Sequence, residues 1–84
     1  MAHFALVDET NVIREVLTIG NNDVNNLPFP ESEPVGQAFI ASCGIEGVWL
    51  ETSYNNNFRG TYAGIGYTYD AALDVFVAPP TPEA

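Results

Sequence analysis

Residues 52–70, TSYNNNFRGTYAGIGYTYD, constrain the fold more than any other part of the chain. Five aromatics (Tyr54, Phe58, Tyr62, Tyr67, Tyr69), three glycines and an Asn triplet share nineteen positions with Arg59, one of only two basic residues. Aromatic side chains favour a pleated surface, and interspersed glycines let a strand bend sharply or another group approach its backbone. Asn55, Asn56 and Asn57 suit the turn that reverses such a ribbon. A long amphipathic helix is excluded here, and a strongly bent β structure is expected.

The rest of the chain fits that expectation. His3–Val7 is a short apolar run, ended by the turn-forming tetrapeptide Asp8–Asn11 and followed by the β-branched run Val12–Ile19, so the two read as a hairpin. Alternation is imperfect near the start of the second run, where Arg14 and Glu15 place a charge on each face. Gly20–Pro30 reads as loop, because its asparagines, glycine and prolines disfavour regular structure. Glu31–Gly44 is the one helical pattern: Val35, Phe39 and Cys43 recur at spacing four, with Ile40 alongside. Ser32 or Glu33 can cap it, Pro34 is tolerated in its first turn, and Gly44 can end it. Gly36 costs that helix about 1 kcal/mol relative to alanine.

Gly47–Tyr54 is a strand, with Val48, Leu50, Thr52 and Tyr54 on one face and Trp49, Glu51 and Ser53 on the other. Asn55–Gly60 connects it to a strand over Thr61–Tyr69, with Ala63, Ile65, Tyr67 and Tyr69 on one face. Asp70–Asp74 turns into a last strand at Val75–Ala78. The expected fold is mainly β: a small, strongly bent five-stranded barrel, with one short helix between the second and third strands. Residues 1–78 form a single domain, and 79–84 form a Pro-rich tail.

An 84-residue chain hides only about 60–65% of the surface that its unfolded form exposes. One cysteine excludes an internal disulfide, and one histidine argues against a Cys/His metal site, so self-association is the expected source of extra stability. An open sheet edge satisfied by a neighbouring copy gives a ring of identical subunits. With eleven acidic residues against two arginines, the formal net charge is −9. That balance repels polyanions and excludes a duplex DNA binder held by phosphate neutralisation. No signal peptide or membrane-spanning run is visible, and a protein of the cytoplasm or of a virus particle is expected.

Few residues could carry chemistry. His3 lacks an evident acid–base partner and reads as a surface or packed residue. Cys43, on the helix stripe, reads as a small buried hydrophobe. The pairs Asp8/Glu9, Glu31/Glu33 and Asp70/Asp74 could hold a cation, but turns, a helix start and a hairpin end account for them. Gly64-Ile65-Gly66 begins a dinucleotide fingerprint that Tyr69 breaks. No catalytic, metal or cofactor site is expected, and the chain reads as a non-enzyme. The binding candidates are Asn55, Asn56, Asn57, Phe58, Arg59 and Tyr62, which could stack on single-stranded bases and hydrogen-bond them. The competing reading is that these aromatics fill a core or a subunit interface.

The blocks MAHFA–x3–E–x–NVI and TSYNNNFR–x2–YAGIGYTYD–x3–D–x–F resemble a family of small proteins from marine cyanophages and ocean metagenomes, over essentially the whole chain. That family is similar in structure to the Sm/LSm proteins. The resemblance implies a bent five-stranded barrel, subunits joined edge to edge in a closed ring (a pentamer in the family), and a role in RNA or DNA processing. Arg59-Gly60 resembles the Arg-Gly pair with which Sm proteins contact RNA, in a different flanking pattern. The helix lies between the second and third strands, whereas Sm proteins carry theirs at the start. The alternative is a structural or assembly protein of the virion.

Overall fold

The computed structural model describes residues 1–80. Its elements are β1 (Ala2–Val7), β2 (Ile13–Ile19), a 3-10 turn at Asn21–Val24, α1 (Ser32–Ser42), β3 (Val48–Thr52), β4 (Thr68–Asp70) and β5 (Val75–Val77). β1 is the middle strand of an antiparallel sheet ordered β2-β1-β3, and β4 and β5 form a separate ribbon.

β1 is apolar along nearly its whole length because both of its faces are covered, the pattern of a doubly buried strand. On one face Ala2 and Phe4 pack with Ile19, Val24, Ile40 and Trp49, beneath the 3-10 turn and α1. On the other, Ala5 and Val7 pack with Ile13, Ala63 and Phe76, beneath the 60s segment and the β4–β5 ribbon. The architecture is thus mainly β in three layers, with one helix.

The hairpin of β1 and β2 forms as expected, with its turn built around Asp8. Asp8 Oδ1 accepts from the Thr10 and Val12 amides at 2.8 and 3.0 Å and from the Thr10 hydroxyl at 2.8 Å, while Oδ2 accepts from Arg14 Nε at 2.6 Å. The register steps from Leu6↔Glu15 to Val7↔Ile13, and Arg14 is the residue left over. This bulge explains the two successive charges: both Arg14 and Glu15 are exposed.

These bonds, led by that from the Val12 amide, hold the Asp8 carboxyl well below the usual carboxylate range. In acid the unfolded chain therefore takes up a proton that the folded chain refuses, so this stabilisation is present above the unfolded pKa and lost as pH falls. An Asp8→Ala chain is expected to melt lower at neutral pH and to lose melting temperature less steeply below about pH 4. Parallel melting curves for the two chains across that range would contradict this role.

Four local expectations need correction, and so does the closed barrel. The loop at Gly20–Pro30 contains the 3-10 turn, whose Val24 is buried and anchors it to the core. The strand expected over Thr61–Tyr69 shrinks to Thr68–Asp70. Gly64 and Gly66 belong to a turn in which the Tyr67 amide bonds the Gly64 carbonyl at 3.0 Å, leaving Ile65 72% exposed instead of sharing a face with Ala63. Helix α1 has no side-chain cap, because Ser32 is buried and its hydroxyl bonds Glu51 instead. Cys43 is exposed at the helix end rather than buried on its stripe. Gly44 does end the helix in the left-handed region, at φ 79°.

The expected closed barrel does not form among the described residues. The ribbon joins the sheet beside β2, through the Val12–Thr68 bridge and bonds from the Ile13 and Tyr69 amides to Tyr67 and Asn11. At its other side β5 meets Gly60 and Arg59, not β3. The outer edge of β3 is occupied by side chains: Glu33 accepts from the Glu51 amide at 2.8 Å, and Gln37 donates to the Trp49 carbonyl at 2.6 Å. A strand edge satisfied in this way has no need of β5. The expected tail is irregular at Pro79 and Pro80, and its remainder, 81–84, lies outside the described residues.

Candidate functional site

Arg59, the strongest sequence candidate for a ligand contact, sits where the three layers meet. Its side chain is only 10% exposed and pairs with Glu33 of α1 and Asp74 of the β4–β5 turn. Nε donates to Asp74 Oδ1 at 2.8 Å, Nη2 to Glu33 Oε1 at 3.2 Å, and Nη1 to Glu33 Oε2 and, at 3.1 Å, to the Glu51 carbonyl. The guanidinium also lies 5.1 Å over the Phe29 ring, and the Phe76 amide bonds the Arg59 carbonyl at 2.9 Å. Burial opposes its charge, but the bonds to Glu33 and Asp74 outweigh that and raise its pKa. Tyr69 donates to the same Asp74 oxygen at 2.6 Å, and this bond leads in lowering the Asp74 pKa and in raising that of the tyrosine. The residue is a staple tying helix, sheet edge and ribbon together, and its donors are committed to the fold.

The other candidates divide between support and surface. Asn56 adopts φ 59°, and its Oδ1 accepts from the Tyr62 amide at 2.8 Å; the Asn57 amide donates to Ser53 Oγ at 2.9 Å. Both asparagines therefore hold the loop, as turn chemistry predicts. Phe58 stacks flat on Phe29, with centroids 3.8 Å apart and planes 2° from parallel. Asn55 is exposed. Tyr62 packs edge-on against both His3 (5.4 Å) and Tyr54 (5.3 Å), and Tyr54 in turn stacks on His3 at 5.6 Å. Tyr54 is 65% exposed and forms the outer surface of this aromatic trio. The Tyr62 hydroxyl and Thr18 Oγ1 both approach His3 Nδ1, at 3.4 and 3.2 Å, and burial followed by the N-terminal ammonium lowers the His3 pKa.

Beside the trio, a cavity of about 340 Å³ opens between the first residues of β1 and the segment leaving β3. Asn55, Asn57 and Phe58 line it, and so does Glu51, which the sequence reading placed on a strand face without giving it a role. Glu51 is 6% exposed, and its Oε1 accepts from Ser32 Oγ at 2.6 Å. Burial, reinforced by nearby Glu33 and opposed by the Ser32 bond, pushes its carboxyl up. A glutamate flanked by Leu50 and Thr52 in an otherwise apolar strand was the one signal that could have pointed to it. The arrangement offers stacking surfaces, amide groups and a buried carboxylate. Among the described residues no group of three or more His, Cys, Asp or Glu side chains is placed to hold a metal ion, and no helix is long and apolar enough to cross a membrane. Comparison with protein-family models, with curated proteins and with solved structures finds no match.

Proposed function

We propose that this chain is a non-enzymatic module of phage origin that assembles with copies of itself into a ring, with a pentamer favoured, on an open variant of the Sm-like barrel. One observation carries the assembly. β2 is an edge strand, and beyond Ile13 no hydrogen bond among the described residues satisfies its outer edge. A row of unpaired amides and carbonyls is a template for another chain, and the opposite edge of the sheet is already closed by Glu33, Arg59 and Gln37. Light scattering at tens of micromolar protein is expected to give five times the 9.1 kDa chain mass, and a monomer there would overturn the proposal.

The ring's function in this reading is nucleic-acid processing through contact with single-stranded RNA or DNA. Tyr54 and Tyr62 offer faces for bases, Asn55, Asn56 and Asn57 surround them with amides, and Phe58 and Arg59 frame the loop. With Arg59 committed and a net charge of −9, affinity rests on stacking rather than phosphate neutralisation. Oligonucleotide anisotropy at low salt should show binding that Tyr54→Ala weakens about tenfold. No change at tens of micromolar would remove this part while leaving the ring standing. A second reading, a structural or assembly protein of the virion, is supported by the short β4–β5 hairpin, followed closely by Pro79 and Pro80. Its presence in purified particles would favour that reading, and with it a location in the particle rather than in the host cytoplasm.

A further inference from the structure

The cavity beside β3 is lined by a carboxylate of which the fold bonds only one oxygen. Glu51 Oε1 is bonded by Ser32, whereas Oε2 makes no hydrogen bond among the described residues. No fully buried side-chain oxygen there lacks a partner, so Oε2 reaches accessible space, and Glu51 lines the cavity. No cation pairs with it directly, and the Arg59 charge acts on it only from the main-chain side. Arg59 reaches only the Glu51 main-chain carbonyl and gives its other donors to Glu33 and Asp74, and no salt bridge to Glu51 forms among the described residues. A carboxylate this enclosed is costly without a counter-charge or further donors.

We propose that the cavity binds a small organic cation bearing N–H donors, a guanidinium or primary ammonium compound, with one N–H directed to Glu51 Oε2. The remaining lining suits such a ligand. The Tyr54 and Phe58 rings can face a flat cation, and Ser53, Asn55 and Asn57 supply oxygens for donors that Glu51 cannot reach. The chain's net charge of −9 raises the local concentration of cations, while Glu51 with nearby Glu33 repels phosphates and carboxylates. A volume of about 340 Å³ lies at the small end of ligand pockets, so it matches a fragment-sized metabolite or one side chain. It is too small to enclose a whole nucleotide, whose bases would stack on the outer Tyr54 surface instead.

The test uses the full chain, with amide NMR and calorimetry, and n-butylguanidinium against its uncharged isostere n-butylurea. Butylguanidinium is expected to shift the Glu51, Ser53 and Asn57 amide signals saturably, with a Kd of about 1 mM or tighter. Butylurea should bind about tenfold more weakly or worse. Glu51→Gln keeps a carbonyl acceptor for Ser32 and removes the charge, and should lose the same factor. Equal binding of the two probes, undiminished binding by folded Glu51→Gln, or shifts that do not saturate and spread over the acidic surface would each overturn the proposal. Should Glu51→Gln fail to fold, the two probes on the unaltered chain decide the matter alone.

Discussion

Replacing Arg59 with methionine lowers the free energy of unfolding by about 3 kcal/mol, the usual cost of removing one partner from an enclosed ion pair. In a domain of this size that corresponds to a melting temperature lower by roughly 10–20 °C. The loss arises because Glu33 stays mostly covered without its cation, while Asp74 keeps only Tyr69. Arg59→Lys should recover part of the stability, since one ammonium cannot reach Glu33, Asp74 and the Glu51 carbonyl together. Thermal melts followed by circular dichroism measure both variants. A methionine variant as stable as the parent would mean that the arginine does not hold the layers, and would return it to the list of groups free to meet a ligand.

Gly36→Ala is the second large effect, and its sign runs against helix propensity. Alanine in mid-helix should gain about 1 kcal/mol over glycine. Here a methyl group would sit 2.1 Å from Cζ and 2.5 Å from Cε1 of Phe4, a ring that is fully buried in the centre of the sheet. The ring cannot move aside without displacing Ile40 or Trp49, which share its cluster. Overpacking costs about 1–3 kcal/mol, and an approach this short belongs at the top of that range, so after the propensity gain the variant is expected to be less stable by about 2 kcal/mol. Chemical denaturation with a reference substitution at the exposed Ala38 to glycine separates the two terms. A more stable Gly36→Ala chain would show that the helix can lift from β1 at no cost.

Gly36 also shows what the sequence could and could not reveal. Read locally it is a weak point in a helix; seated on Phe4, its missing side chain makes the room that the ring occupies. The β1–β2 hairpin, α1 and β3 were legible because each is written in its own short-range pattern: an apolar run, a turn tetrapeptide, a spacing of four. Arg14 and Glu15 looked like a flaw in the alternation, and a single bulge resolves it. Residues 61–67 misled, since alternating Tyr, Ala, Ile and Gly fits a strand, yet the bond from the Ala63 amide to Thr52 Oγ1 fixes the segment as a loop over the sheet. The candidate site was legible only in part. The asparagine turn was visible, but Arg59 finds its partners 26 and 15 positions away, and such separations leave no local mark. Ser32 and Glu33 both suit a helix cap by local pattern, yet their partners, Glu51 and Arg59, lie 18 to 26 residues downstream.

The first strand of the chain is the middle strand of its sheet, with β2 beside it in sequence and β3 more than forty residues away. On the ribosome the hairpin can form as soon as residues 2–19 emerge, but Phe4 and Ala5 then have no lid on either side. Closing that long loop is entropically slow, and until Val48–Thr52 arrives the nascent hairpin offers a bare apolar flank to whatever is near. Chaperone contact during synthesis would therefore concentrate on β1, whose Phe4 and Ala5 end up fully enclosed.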